Sequence, residues 1–108
     1  MYKILIADDE ALMRKGLCTL IDWAKLGCQI VGTAENGLQA KQAVLDYQPD
    51  IIIADIKMPV MDGLELARWV CGAQRQIQII LLTAFADFPT RSRQSSTASA
   101  TTLQKREI

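Results

Sequence analysis

Two adjacent carboxylates, Asp8-Asp9, a third at Asp55 and a hydroxyl at Thr83 each close a short apolar run. Carboxylates gathered in one place repel one another, a costly arrangement unless a cation sits between them. Mg2+ suits such a set: it prefers hard oxygen ligands in octahedral geometry, keeps several waters, and is commonly held by one or two carboxylates plus a phosphate oxygen. Asp9 and Asp55 could supply those carboxylates, with a backbone carbonyl just after Asp55 and water completing the shell. Asp55 is then a nucleophile toward phosphorus, and the metal neutralises phosphate oxygens on the way to an acyl phosphate. Thr83 fits as a short hydroxyl donor aimed at the bound phosphoryl group. Singly, Asp55 reads as a cap or loop residue and Thr83 as a β-branched strand residue satisfied by backbone. Together the acidic pair, the D-x-x-M-P-x-x-D-G run over Asp55–Gly63 and Leu82-Thr83-Ala84 are far more specific.

Chemistry of this kind needs elements that bring distant residues together. Lys3–Ala7 is short and Ile-rich, which predicts a strand, and the three- and four-residue steps of Met13, Leu17, Leu20, Ile21 and Ala24 predict a helix over Ala11–Trp23. Gln29–Ala34 is a second strand. Asn36-Gly37 is a cap signal for a helix through Leu38, Ala40, Ala43, Val44 and Tyr47, stopped by Gln48-Pro49. Ile51–Ala54 lacks polar alternation, as a strand buried on both faces should. Met61-Asp62-Gly63 turns the chain into a third helix with Gly72 as its exit, and Gln78–Leu82 is a fourth strand. The order βαβαβαβ implies a doubly wound parallel α/β sheet whose ligands sit at the carboxyl ends of the strands. Asp8, Asp9, Asp55 and Thr83 all lie at such ends.

Composition narrows the partners. Residues 1–88 hold eight Lys+Arg against eleven Asp+Glu, and residues 89–108 hold four against one, so the folded part lacks a basic patch for nucleic acid. Cys18, Cys28 and Cys71 form no C-x-x-C pair, and reduced structural thiols of a cytoplasmic protein are expected. No apolar run approaches a membrane span. Histidine is absent, so the phosphoryl donor must lie outside this chain.

Over residues 2–88 the chain resembles the receiver domain of a two-component response regulator. That resemblance implies a flavodoxin-like fold and phosphorylation of Asp55 by the phosphohistidine of a sensor histidine kinase. It further implies an acidic Mg2+ pocket at Asp8 and Asp9, the Lys57 backbone carbonyl as a metal ligand, and Thr83 as the switch hydroxyl. Met58, Pro59 and Gly63 would shape the loop over the pocket. The stretch Gly16-Leu17 to Leu26-Gly27 also resembles receivers attached to AraC-type DNA-binding domains. A receiver is a signalling switch rather than an enzyme, apart from its own phosphorylation and dephosphorylation.

The pattern departs from that family after about Pro89. Eight of the residues 89–108 are Ser or Thr, and their composition predicts a disordered or weakly helical tail rather than a fifth strand with its last helices. The expected domain is therefore incomplete, four strands and three helices over 1–88, with no assignable phosphate-clamping lysine. Loss of such a donor would cost on the order of 3 kcal/mol, about a hundredfold in rate. An unpaired Ile79–Leu82 edge would invite self-association. Two other functions compete: a decoy that docks a kinase without being phosphorylated, and a Mg2+-dependent phosphohydrolase. The latter usually needs an acid two residues after the nucleophile, where this chain has Lys57.

The tail also reads as receiver sequence in a shifted frame. Taking the last base of each codon with the next two, Ser96-Thr97 permits Tyr, Thr97-Ala98 Gly, Ala98-Ser99 Val, Ala100-Thr101 Asp and Thr101-Thr102 Tyr. Gln104-Lys105 then gives Lys for an A-ended Gln codon. Sequencing the encoding DNA from the codon for Ala86 through that for Ile108 tests this. The expected outcome is a second frame continuing through a lysine-bearing strand, and immediate closure of that frame would refute it.

Overall fold

The computed structural model describes residues 1–73, 76–83 and 100–104. Five strands form one parallel sheet: β1 (Tyr2–Ala7), β2 (Cys28–Ala34), β3 (Ile51–Asp55), β4 (Gln78–Thr83) and β5 (Ala100–Gln104), in the order β2-β1-β3-β4-β5. Three helices join the first four strands: α1 (Ala11–Leu20), α2 (Gly37–Tyr47) and α3 (Gly63–Ala73). The flavodoxin-like, doubly wound sheet expected from the sequence is the one observed. Its strand order reverses at β1, which has β2 on one side and β3 on the other. This reversal opens a crevice at the carboxyl ends of β1 and β3.

The alternation of side chains along each strand divides the core into two layers. Leu5, Ala7, Ile52, Ala54, Ile79 and Leu81 face α2 and α3, packing against Ala40, Val44, Leu66 and Val70. Ile4, Ile6 and Ile53 point the other way, toward Leu17 of α1 and Cys28, with Met13, Trp23, Ile80 and Leu82 partly buried around them. Both faces of β1 and β3 are covered, which is why these runs show no polar alternation.

α1 ends three residues before the expected Trp23. Ile21 is extended at φ −106° and ψ 131°, and a single 3-10 turn at Ala24–Leu26 follows, closed by Gly27 at φ 78°. Side-chain chemistry makes the break: Asp22 Oδ1 accepts from the Lys25 N–H, and the Trp23 indole donates to the Leu17 carbonyl in the last turn of the helix. α3 runs through Gly72 to Ala73 rather than stopping at the glycine. All three cysteines are unpaired, and burial raises the Cys18 thiol above its usual value against the opposing pull of Arg14. Among the described residues no helix is long and apolar enough to cross a membrane.

One expectation is corrected. The fifth strand is not missing, because Ala100–Gln104 pairs in parallel with β4 from Ile79↔Ala100 to Thr83↔Gln104. The composition argument concerned side chains able to fill a core. An outer strand is held by backbone hydrogen bonds along one side, and Thr, being β-branched, is at home in it. The β4 edge is therefore paired, which removes the ground for self-association there. The rest of the predicted tail, 89–99 and 105–108, lies outside the described residues, as do 84–88.

Replacing Thr101 and Thr102 by Pro in turn tests β5. Successive residues of an outer strand point their N–H groups to opposite sides, so one of the two variants removes a ladder donor. We expect a lower melting temperature for one variant, read by circular dichroism. Identical melting of both variants and wild type would exclude the strand.

Candidate functional site

The carboxyl end of β1 delivers two acids in contrasting surroundings. Asp8 is fully buried and Asp9 is exposed. Asp8 is fixed through its backbone and side chain alike: its N–H donates to the Ala34 carbonyl at 3.0 Å, and its Oδ1 accepts from the Glu10 N–H at 2.9 Å. Glu10 is the residue before α1, so this carboxylate occupies the electropositive start of the helix, where anions are favoured. Asp55 ends β3, the central strand of the sheet, at 6% exposure. Asp8, Asp9 and Asp55 each place a carboxylate oxygen within 4.8 Å of the others. The sequence separates these residues by up to 47 positions; the β1–β3 pairing of Ala7 with Ala54 closes that distance.

The chain after Asp55 folds over the same crevice. The Ile56 N–H donates to the Leu82 carbonyl at 3.0 Å, and the Ile56 carbonyl accepts from Gly63 N–H at 2.8 Å, drawing the loop shut. Met58 is buried in the core on the α2/α3 side and anchors it. Pro59, Val60 and Met61 form a tight turn in which Met61 N–H donates to Pro59 carbonyl at 2.7 Å, with Val60 at φ 69°. This conformation strains a β-branched residue. Two contacts hold the turn. Asp62 and Glu65 cap α3 reciprocally, and the Met61 carbonyl accepts from the Gly37 N–H at 2.8 Å. An open cavity of about 580 Å³ lies between Asp9 and the wall made by Ile56, Lys57, Met58, Pro59, Asp62 and Leu64.

The structure brings the Asp8, Asp9 and Asp55 carboxylates together and carries Lys57, Met58, Pro59 and Gly63 on the segment that follows Asp55. Thr83 ends β4, one position beyond the Leu82 that pairs with Asp55, and its side chain lies outside the described atoms. Among the described lysines, Lys57 lines the cavity. The donor set fits Mg2+: three hard carboxylate oxygens lie within 4.8 Å of one another, while an ion about 2 Å from each ligand spans about 4 Å between opposite ligands.

Two features were missed in the sequence. The Asp62-x-x-Glu65 capping box was legible as a pattern. Arg14 was not: it is an unremarkable basic residue of an amphipathic helix, yet its Nη1 donates to the Asp8 carbonyl at 2.6 Å.

Comparison with known proteins identifies the family and the fold. A sequence profile of the response regulator receiver domain matches residues 4–107. The chain is 44% identical over 88 residues to the transcriptional regulatory protein YesN of Bacillus subtilis, covering 82% of this chain and 24% of YesN. The REC domain of AraT, a response regulator from Geobacillus stearothermophilus, superposes with a TM-score of 0.81 at 30% identity, over 96% of this chain and 81% of that one. A two-component transcriptional regulator AraC from Clostridium phytofermentans gives 0.73 at 35% identity, over 81% and 70%. The chain spans about a quarter of the length of YesN.

Two glycines of α3 make a paired test of the loop closure. A Cβ on Gly63 would collide with the Asp55 carbonyl oxygen and sit 2.9 Å from Ile56 Cα, whereas one on Gly72 meets nothing within 4 Å. Gly63→Ala should lower stability by about 1–3 kcal/mol in urea titration. Gly72→Ala should raise it by about 0.5–1 kcal/mol. Equal effects of the two would contradict the close approach at Asp55.

Proposed function

The chain belongs to the response regulator receiver domain family, and from that premise we propose that it accepts a phosphoryl group on Asp55 from the phosphohistidine of a sensor kinase, with Mg2+ as cofactor. The observation that carries this reading is the convergence of the Asp8, Asp9 and Asp55 carboxylates within 4.8 Å of one another, with Asp9 also lining an open cavity. In the transfer an Asp55 carboxylate oxygen attacks phosphorus, and the P–O bond forms as the P–N bond of the donor breaks. The imidazole nitrogen leaves with the electron pair and takes a proton from solvent. Mg2+, when bound, supplies charge neutralisation for the phosphate oxygens. Asp8, Asp9 and Asp55 would hold it, with the Lys57 carbonyl as a further ligand. Burial of Asp55 at the end of a central strand limits its rotamers and presents it toward the crevice.

The names of the relatives point to transcription control, and we propose that the receiver is the input half of a cytoplasmic transcriptional regulator whose DNA contacts lie in another domain. With Lys57 where a phosphohydrolase would have its second acid, repeated turnover of phosphate esters is not expected. Impaired phosphorylation keeps no electrostatic ground among the described residues, because Lys105, next after β5 in the sequence, lies outside them. It loses its structural ground, because β4 is paired along its outer edge.

Incubation with acetyl phosphate, followed by intact-mass measurement, tests the proposal. We expect Mg2+-dependent phosphorylation of the wild type and none of Asp55→Asn. Equal labelling of Asp55→Asn, or labelling indifferent to EDTA, would overturn it.

A further inference from the structure

Arg14 lies on α1, but its side chain turns back to the strand that precedes the helix. Its Nη1 donates to the Asp8 carbonyl at 2.6 Å, and its Nη2 stands 3.9 Å from Glu35 Oε2, just beyond the end of β2. The arginine side chain is 19% exposed and that of Glu35 is 63% exposed, so the ion pair itself contributes little. The short, largely sheltered bond to the carbonyl is the substantial interaction.

The carbonyl that Arg14 holds belongs to the peptide joining Asp8 to Asp9. The plane of that peptide sets the directions in which the two flanking side chains leave the backbone. Asp8 has other restraints, at its own N–H and at Oδ1. Asp9 is exposed, and no hydrogen bond or ion pair to its side chain occurs among the described residues. Its approach to Asp8 and Asp55 therefore depends on the backbone beneath it, which Arg14 pins.

We propose that Arg14 is a positioning residue of the metal site, fixing the Asp8–Asp9 peptide so that both carboxylates converge with Asp55 on one cation. This inference rests on the reading of the site as a Mg2+-dependent phosphoacceptor. The competing role is a plain strut between helix and sheet, which would support stability alone. The sign of the metal effect separates the two, and it also separates positioning from charge. A guanidinium beside a cation site repels the cation, so removing charge alone would tighten Mg2+ binding, and removing a strut would leave it unchanged. Only loss of positioning weakens it.

The test is Mg2+ titration calorimetry on the full chain for wild type, Arg14→Ala, Arg14→Lys and Asp9→Ala, at a temperature where circular dichroism shows every variant folded. Melting temperatures in EDTA are recorded alongside. Arg14→Ala should raise the Mg2+ Kd by about tenfold, the low end of the range for groups that orient metal ligands. Arg14→Lys, which keeps the charge and a donor on a stem of similar reach, should recover most of the loss. A Kd for Arg14→Ala equal to or tighter than wild type, with only the melting temperature lowered, would overturn the inference while leaving the phosphoacceptor reading intact. Absence of Mg2+ binding in the wild type, with a flat titration matching Asp9→Ala, would overturn both.

Discussion

Three carboxylates within 4.8 Å of one another are the arrangement on which the rest of this structure depends. Left to themselves they would separate, since like charges at such range repel strongly where solvent is partly excluded. They stay together because each is carried on backbone that has no freedom to withdraw. β1 and β3 are hydrogen-bonded side by side, with apolar side chains packed on both faces. The hydrophobic layers thus hold the acids in place, and a divalent cation bound among them would relieve their mutual repulsion.

The loops around the crevice follow the same logic at smaller scale. The segment from Ile56 to Asp62 must rise over the site and return within a few residues. It does so through a backbone bond from Gly63 to Ile56, a positive φ at Val60 and a capping box at α3. Strain at Val60 is tolerated because Met58 anchors one side of the turn in the core and Gly37 of α2 bonds the other. A short contact from one helix start to this loop links α2 to the neighbourhood of Asp55, and only a residue without a side chain can make it, since a Cβ at Gly37 would overlap Met61.

The outer edge shows where composition misleads. A Ser- and Thr-rich stretch is a poor candidate for a core, and the expectation of a missing fifth strand followed from that. Pairing along β4, however, requires only peptide groups in register and a conformation that threonine readily adopts. The same distinction explains α1, whose apolar period continues to Trp23 while its backbone leaves the helix at Ile21. Asp22 and the Trp23 indole offer the backbone other hydrogen-bond partners, and a hydrophobic period carries no information about such competition.

The sequence by itself determined the fold class, the order of the first seven elements and the chemical character of the site. Apolar runs of strand length alternating with amphipathic helices admit few topologies, and acids at the ends of those runs must meet at the carboxyl edge of a parallel sheet. Tertiary structure alone decided how the acids are held. Asp8 is buried and bonded while its neighbour Asp9 is exposed, and Arg14 reaches back from α1 to the peptide between them. Those contacts depend on the angle at which α1 leaves β1 and on the spacing of β1 and β2. Both are set by packing between residues far apart in the chain, which one-dimensional spacing does not encode.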